Sequence, residues 1–157
     1  MGNDLERRIT ILEDIEAIKQ LKSKYGYDID ERNWDKVVDF FSEDASVDFG
    51  SFGKYEGKKA IEQFFKETFP PVSSFSVHMS QDPIIEVQGN RAKGKWYLHE
   101  SATFTAGNSA VWGAITYEDE FVKENGKWKC KFCLVRFIYL TPYEKGWVKQ
   151  RMIGVEE

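Results

Sequence analysis

Five ionisable side chains stand where acid–base chemistry would need them: Asp28, Asp30, His78, Glu100 and Arg136. The chain has two histidines, His78 and His99, and a neutral imidazole is the side chain best suited to moving protons near neutral pH. His78 lies in Ser76-Val77-His78-Met79-Ser80, on the face opposite Val77 and Met79. Alternation alone does not say which face is the core, so a structural histidine fits this spacing as well as a general base. A carboxylate bonded to one ring nitrogen would fix the tautomer and stabilise the imidazolium when it forms. Asp28 and Asp30 are the candidates, unless both are acidic residues of a solvated connection between helices.

Glu100 and Arg136 draw attention because each interrupts an apolar face. Trp96, Leu98, Ala102 and Phe104 alternate on one side of a strand with Glu100 among them. Trp128, Cys130, Phe132, Leu134, Ile138 and Leu140 alternate on another with Arg136 among them. A guanidinium on an inward face needs an anion, because leaving it unpaired costs several kcal/mol. Glu100 is the expected partner, a carboxyl with a raised pKa, or both. Either residue also fits a purely structural ion pair. Trp96, Leu98, Phe104, Trp112 and Leu134 are the expected substrate contacts.

Other chemistries find no support. Cys130-Lys131-Phe132-Cys133 has a C-x-x-C spacing, but no second pair, and regular alternation would point its thiols to opposite faces. No glycine-rich phosphate loop and no G-x-S-x-G elbow occurs. The expectation is therefore a site without cofactor or metal.

These residues must be held by the elements around them. Ile11, Ile15, Ile18, Leu21 and Tyr25 form the apolar stripe of a helix from Leu5 to about Gly26, with Asp14 and Lys19 off it. A straight helix turning about 100° per residue would carry Asp30 well away from the Tyr25 stripe. Asn33 is the expected N-cap of a second helix burying Trp34, Val37, Val38 and Phe41. Ala45–Phe49 reads as a short strand, followed by a glycine-punctuated hairpin around Tyr55. Lys58–Phe69 reads as a third helix, stopped by Pro70-Pro71. From Ser74 onward the pattern has period two, in segments near Phe75–Gln81, Ile84–Val87, Arg91–Thr105, Ser109–Lys123 and Lys127–Leu140. Gly89-Asn90, Gly107-Asn108 and Asn125-Gly126 supply the turns. The class is α+β, three helices on one face of a curved sheet.

Composition bounds the rest. The 157 residues suit one domain, and 41% hydrophobic with 31% charged residues describes a globular chain. A net charge of −4 gives no general attraction to nucleic acid or anionic membrane, and no apolar run approaches the roughly 20 residues of a membrane span. The charged amino-terminal stretch and two cysteines lead to a cytoplasmic expectation. Aromatic residues make up 15%, more than a core of this size needs, and an aromatic-lined cavity is one use for the excess. The long strands carry rings on both faces, among them Tyr97, Trp112, Tyr117, Phe137 and Tyr139. Helices can cover one face only, so a homodimer or homotrimer through the open sheet face is expected.

The string from Asp14 to Tyr25, then Asp30, Asn33-Trp34-Asp35, His78-Met79, Gly94-Lys95-Trp96-Tyr97-Leu98 and Val135-Arg136, resembles the SnoaL-like branch of the nuclear-transport-factor-2-like superfamily. Within that branch it is most similar to the bile acid 7α-dehydratases, and it also resembles the hexachlorocyclohexane dehydrochlorinases and scytalone dehydratases. The resemblance spans nearly the whole chain, as one domain. It implies a cone-shaped α+β barrel around a deep pocket, and it matches the dehydratases' tyrosine, aspartate, histidine and arginine to Tyr25, Asp30, His78 and Arg136. Where those enzymes have a second aspartate this chain has Glu100, and His99 has no counterpart there. The implied activity is a cofactor-independent elimination from a small apolar or polycyclic hydroxylated substrate. Ketosteroid-type isomerisation, polyketide-type cyclisation and non-catalytic ligand binding use the same scaffold.

Overall fold

In the computed structural model, which describes residues 2–153, a long first helix lies against an open six-stranded sheet. Helix α1 is Gly2–Asp30 and α2 is Trp34–Asp39; β1 is Phe41–Asp48, and a 3-10 turn at Gly50–Phe52 leads into β2, Lys54–Glu56. Helix α3, Lys58–Gln63, relaxes into a π turn at Phe64–Thr68. Four long strands follow: β3 Ser73–Gln88, β4 Arg91–Phe104, β5 Ser109–Glu124 and β6 Lys127–Pro142, then the short α4, Gly146–Lys149. The sheet order is β2-β1-β6-β5-β4-β3, with β1 parallel to β6 and every other pair antiparallel. The cone implied by resemblance is thus not closed. No described helix is long and apolar enough to cross a membrane.

Helix α1 runs four residues past Gly26, and this settles how Asp30 is placed. Its buried stripe is Asp14, Ile18, Lys22, Tyr25 and Ile29, so two charged residues expected off the stripe or left unremarked lie on it. Gly26 and Asp30, four residues apart, form a neighbouring stripe turned toward edge strand β3. A Cβ at Gly26 would already touch the backbone oxygen and Cβ of His78, at 3.6 and 3.7 Å. The helix therefore meets the sheet interior and its edge strand at once. Asn33 begins α2 as expected, yet its side chain bonds Asp28 and Glu31 instead of capping, and Phe41 opens β1.

Strand β6 departs most from regular alternation. Its pairing with β5 slips once where Cys130 and Phe132 face Phe121 and Glu120, leaving Lys131 extra, and again where Phe137 and Tyr139 face Ile115 and Ala114, leaving Ile138 extra. Each bulge exchanges the faces of everything beyond it. Trp128 and Cys130 point inward, then Cys133, Val135 and Phe137, then Leu140. Both cysteines are consequently buried on the same side, contrary to regular alternation. Asn125 and Gly126, at φ 50° and 77°, close the β5–β6 hairpin in the paired left-handed form that such two-residue turns favour.

Candidate active site

Between the inner sheet face and the helices lies a cavity of about 70 Å3 that opens to solvent. Phenylalanines from the turn after β1 and from the π turn form much of its wall, among them Phe49, Phe52, Phe64, Phe65 and Phe69. The sheet contributes Leu98, Phe104, Ile115, Val135, Phe137 and Leu140. Here the aromatic excess of the composition finds its place. Four groups with titratable protons face this apolar space: Tyr25, His78, Glu100 and Tyr117.

His78 and Asp30 form a tight dyad. Asp30 Oδ1 lies 2.6 Å from His78 Nδ1, while Oδ2 accepts the His78 backbone N–H at 2.8 Å. Ser76 Oγ adds a third bond to Oδ1 at 3.2 Å. Asp28 instead faces Asn33 and Lys36, which resolves the choice between the two aspartates. Burial pushes Asp30 up, but the bonds from His78 and Ser76 outweigh it and hold the carboxyl below its ordinary value. An anionic Asp30 keeps the proton on Nδ1 and leaves Nε2 as the acceptor facing the cavity.

Glu100 stands directly across the β3–β4 pair from His78, its Oε1 3.7 Å from Nε2. That gap is too long for a hydrogen bond and leaves both groups open to a ligand. Burial raises the Glu100 pKa, with Asp30 adding to the rise and His78 opposing it. The two carboxyls flanking the imidazole are thus pushed in opposite directions, the arrangement that separates a base-orienting anion from an acid. Among the described residues, neither Tyr25 nor Tyr117 hydrogen-bonds through its phenol, and burial raises both phenols well above the ordinary value.

Several expected site residues lie elsewhere. Arg136 is exposed on the outer face, because the bulge at Lys131 reverses the strand before reaching it. There it adds, after Lys54 and the Gly50 N–H, to the positive surroundings that hold Asp48 low. Leu134 is outward for the same reason. Trp96 does point inward, but its ring folds back over Gly94, where any Cβ would come within 2.2 Å of it. It therefore packs on Phe121 and Lys22, away from the cavity. Trp112 lies on the outer face with His99, Tyr139, Tyr143 and Trp147. Leu98 and Phe104 do line the cavity, and of the rings that the long strands carry on their two faces, Tyr117 and Phe137 line it too.

The buried pair Lys22–Asp119 had not been singled out. Nζ lies 2.6 Å from Oδ2, the side chains are 2% and 0% exposed, and Nζ sits 3.5 Å from the centre of the Tyr117 ring. The signal was present: Lys22 falls on the Ile18–Tyr25 stripe, and Asp119 alternates with Ile115, Tyr117 and Phe121. No three His, Cys, Asp or Glu side chains among the described residues converge as a metal site would require.

An open, helix-backed sheet and its helices enclose an apolar pocket, with the His78–Asp30 dyad in its wall. The chain belongs to the SnoaL-like domain family, whose pattern matches residues 10–133. A type 2 hexachlorocyclohexane dehydrochlorinase superposes with a TM-score of 0.80 at 22% identity, over 88% of this chain and 92% of that one. A putative scytalone dehydratase from Novosphingobium aromaticivorans gives 0.77 at 22% identity, over 93% and 97%. A nuclear-transport-factor-2-like protein from Salmonella enterica gives 0.72 at 20% identity, over 78% and 89%. These likenesses concern the fold.

Proposed function

We propose that this protein is a cofactor-independent lyase that eliminates water from a small apolar or polycyclic hydroxylated substrate. The observation that carries the reading is the Asp30–His78 dyad with Nε2 turned into an aromatic cavity beside Glu100. His78 Nε2 takes the proton from carbon, and Asp30 holds the resulting imidazolium. The electrons of the broken C–H bond form the new double bond as the C–O bond opens. The departing hydroxyl takes a proton from Glu100, with Tyr25 and Tyr117 as further donors, and leaves as water. Transfer of the proton from His78 to Glu100, across the gap between them, restores the starting state. The apolar walls keep bulk water from competing for these protons. A hexachlorocyclohexane dehydrochlorinase and a putative scytalone dehydratase of this fold support an elimination, and the resemblance of the string from Asp14 to Tyr25 to bile acid dehydratases supports a hydroxylated polycyclic substrate.

A panel of hydroxysteroids and hydroxylated aromatic ketones, followed by mass spectrometry for loss of water, tests the reading. His78→Gln is expected to lower the rate by about 10²–10⁴ while leaving the melting temperature near that of the parent. Turnover that survives Gln at this position would sink proton abstraction by His78. The raised Glu100 pKa beside two unbonded phenols favours one other reading, polarisation of a carbonyl for isomerisation or cyclisation. Migration of the double bond in an enone steroid without loss of water would select it. A ligand that binds but is returned unchanged would assign a binding domain instead.

A further inference from the structure

Arg32 is an arginine in a place that suits glycine. It ends α1 in the left-handed region, with φ 62°. Its N–H donates to Ile29 O at 3.1 Å, and the N–H of Asn33 donates to Asp28 O at 2.8 Å. These are the two bonds of a Schellman ending, whose left-handed position glycine fills without the steric cost an L side chain meets there. The guanidinium carbon lies 5.5 Å from the Trp34 ring centre and 5.7 Å from that of Phe69. Both terminal nitrogens are buried, and neither has a hydrogen-bond partner among the described residues. The neighbouring anion, Asp30, has its oxygens committed to His78 and Ser76. Phe69 belongs to the cavity wall, and Arg32, Trp34 and Phe69 are each half-buried, which places the cluster at the cavity rim.

A left-handed backbone at a non-glycine residue and an unpaired buried guanidinium are both unfavourable, and two ring contacts offset them only in part. A bound oxyanion would satisfy the second. We infer that Arg32 is an anion subsite at the rim of the pocket, so that the natural ligand has an apolar body and an anionic arm bearing a carboxylate, sulfonate or phosphate. The planar fork presents two parallel N–H donors to two oxygens once the arm displaces the Phe69 ring from it. This rests on the cavity being a ligand pocket, and not on the chemistry performed there.

Two dyes that differ only in a sulfonate test the inference: 8-anilinonaphthalene-1-sulfonate and N-phenyl-1-naphthylamine, titrated by fluorescence. The parent protein is expected to bind the sulfonate about tenfold or more tightly than the neutral dye, with the preference falling as salt is raised. Arg32→Gly is expected to melt at or above the parent temperature, to bind the neutral dye unchanged and to lose the preference. Arg32→Lys, which keeps the charge without the fork, is expected to retain part of it. Equal affinity of the parent for both dyes, or a preference that survives in Arg32→Gly, overturns the subsite. Failure of the parent to bind either dye overturns the ligand-pocket reading itself.

Discussion

Two carboxyls flank His78, and their opposite surroundings make them separable by pH. Asp30 is held below its ordinary value, so its contribution to stability is present above the unfolded value of about 3.9 and is lost as pH falls through the folded value. Glu100 is raised by burial, so the folded state holds its proton more tightly than the unfolded chain does. Its contribution is present below the unfolded value of about 4.3 and is lost as pH rises through the folded value. Glu100→Gln is therefore expected to raise the melting temperature at about pH 7, and to give no advantage at about pH 4, where the parent carboxyl is largely protonated in both states. Melts of the two proteins at both pH values check the sign; a lower melting temperature for Glu100→Gln at about pH 7 would show that the ionised carboxylate stabilises the fold. His78 and Glu100 were legible as candidates because residue type and alternation suffice for groups on regular stretches of strand. Arg32 was not, because its position depends on how a helix ends.

Strand β6 shows how one inserted residue redirects chemistry. Sequence alternation carries Trp128 and Cys130 inward correctly, then assigns Arg136 to the core and Val135 to solvent. Lys131 reverses that phase, and an ion pair with Asp44 engages the bulged side chain. Arg136→Met is accordingly expected to change stability by less than about 1 kcal/mol and to leave turnover intact. Val135→Asp, one residue away, places a charge in the cavity wall and is expected to cost about 3 kcal/mol or more. Chemical denaturation of the pair measures both, and equal costs would mean the strand faces are wrongly assigned. The long strands, their turns and the presence of three helices before them were readable because periodicity and turn residues are local signals. Bulges were not readable, since pairing partners decide where the extra residue goes. The same holds for Asp30, which helix geometry alone placed away from Tyr25 and which β3 meets along the Gly26 stripe.

At the scale of the whole molecule, charge is buried on one side of the sheet and apolar surface is left on the other. Lys22 and Asp119 tie α1 to β5 beneath the cavity, and burial raises the Asp119 pKa against the pull of Lys22. Lys22→Met alone strands that carboxylate and is expected to cost about 3–5 kcal/mol, while Lys22→Met with Asp119→Leu should recover most of the loss. A double-mutant cycle by urea denaturation decides it, and additive losses would deny the coupling. The outer face has its own division. Cross-strand rows place Met79, His99, Ala114 and Tyr139 side by side, with Val77, Ser101 and Trp112 in the next row. Further along the same strands the face turns ionic, through Lys95–Glu118 and Lys93–Glu120. Helix α4 covers part of the apolar half by stacking Trp147 on Tyr139, but Phe75, Met79 and Tyr97 stay 53%, 47% and 51% exposed. An exposed apolar area rimmed by charge marks an interaction surface, and the homo-oligomer expected through the open sheet face would put a second copy of this chain on it. Light scattering at micromolar concentration is expected to give a multiple of the chain mass, and Met79→Glu with Tyr97→Glu to give single chains with an unchanged melting profile at low concentration. A parent protein with the mass of one chain would leave these side chains facing water, and the outer face would then not be an interface between copies.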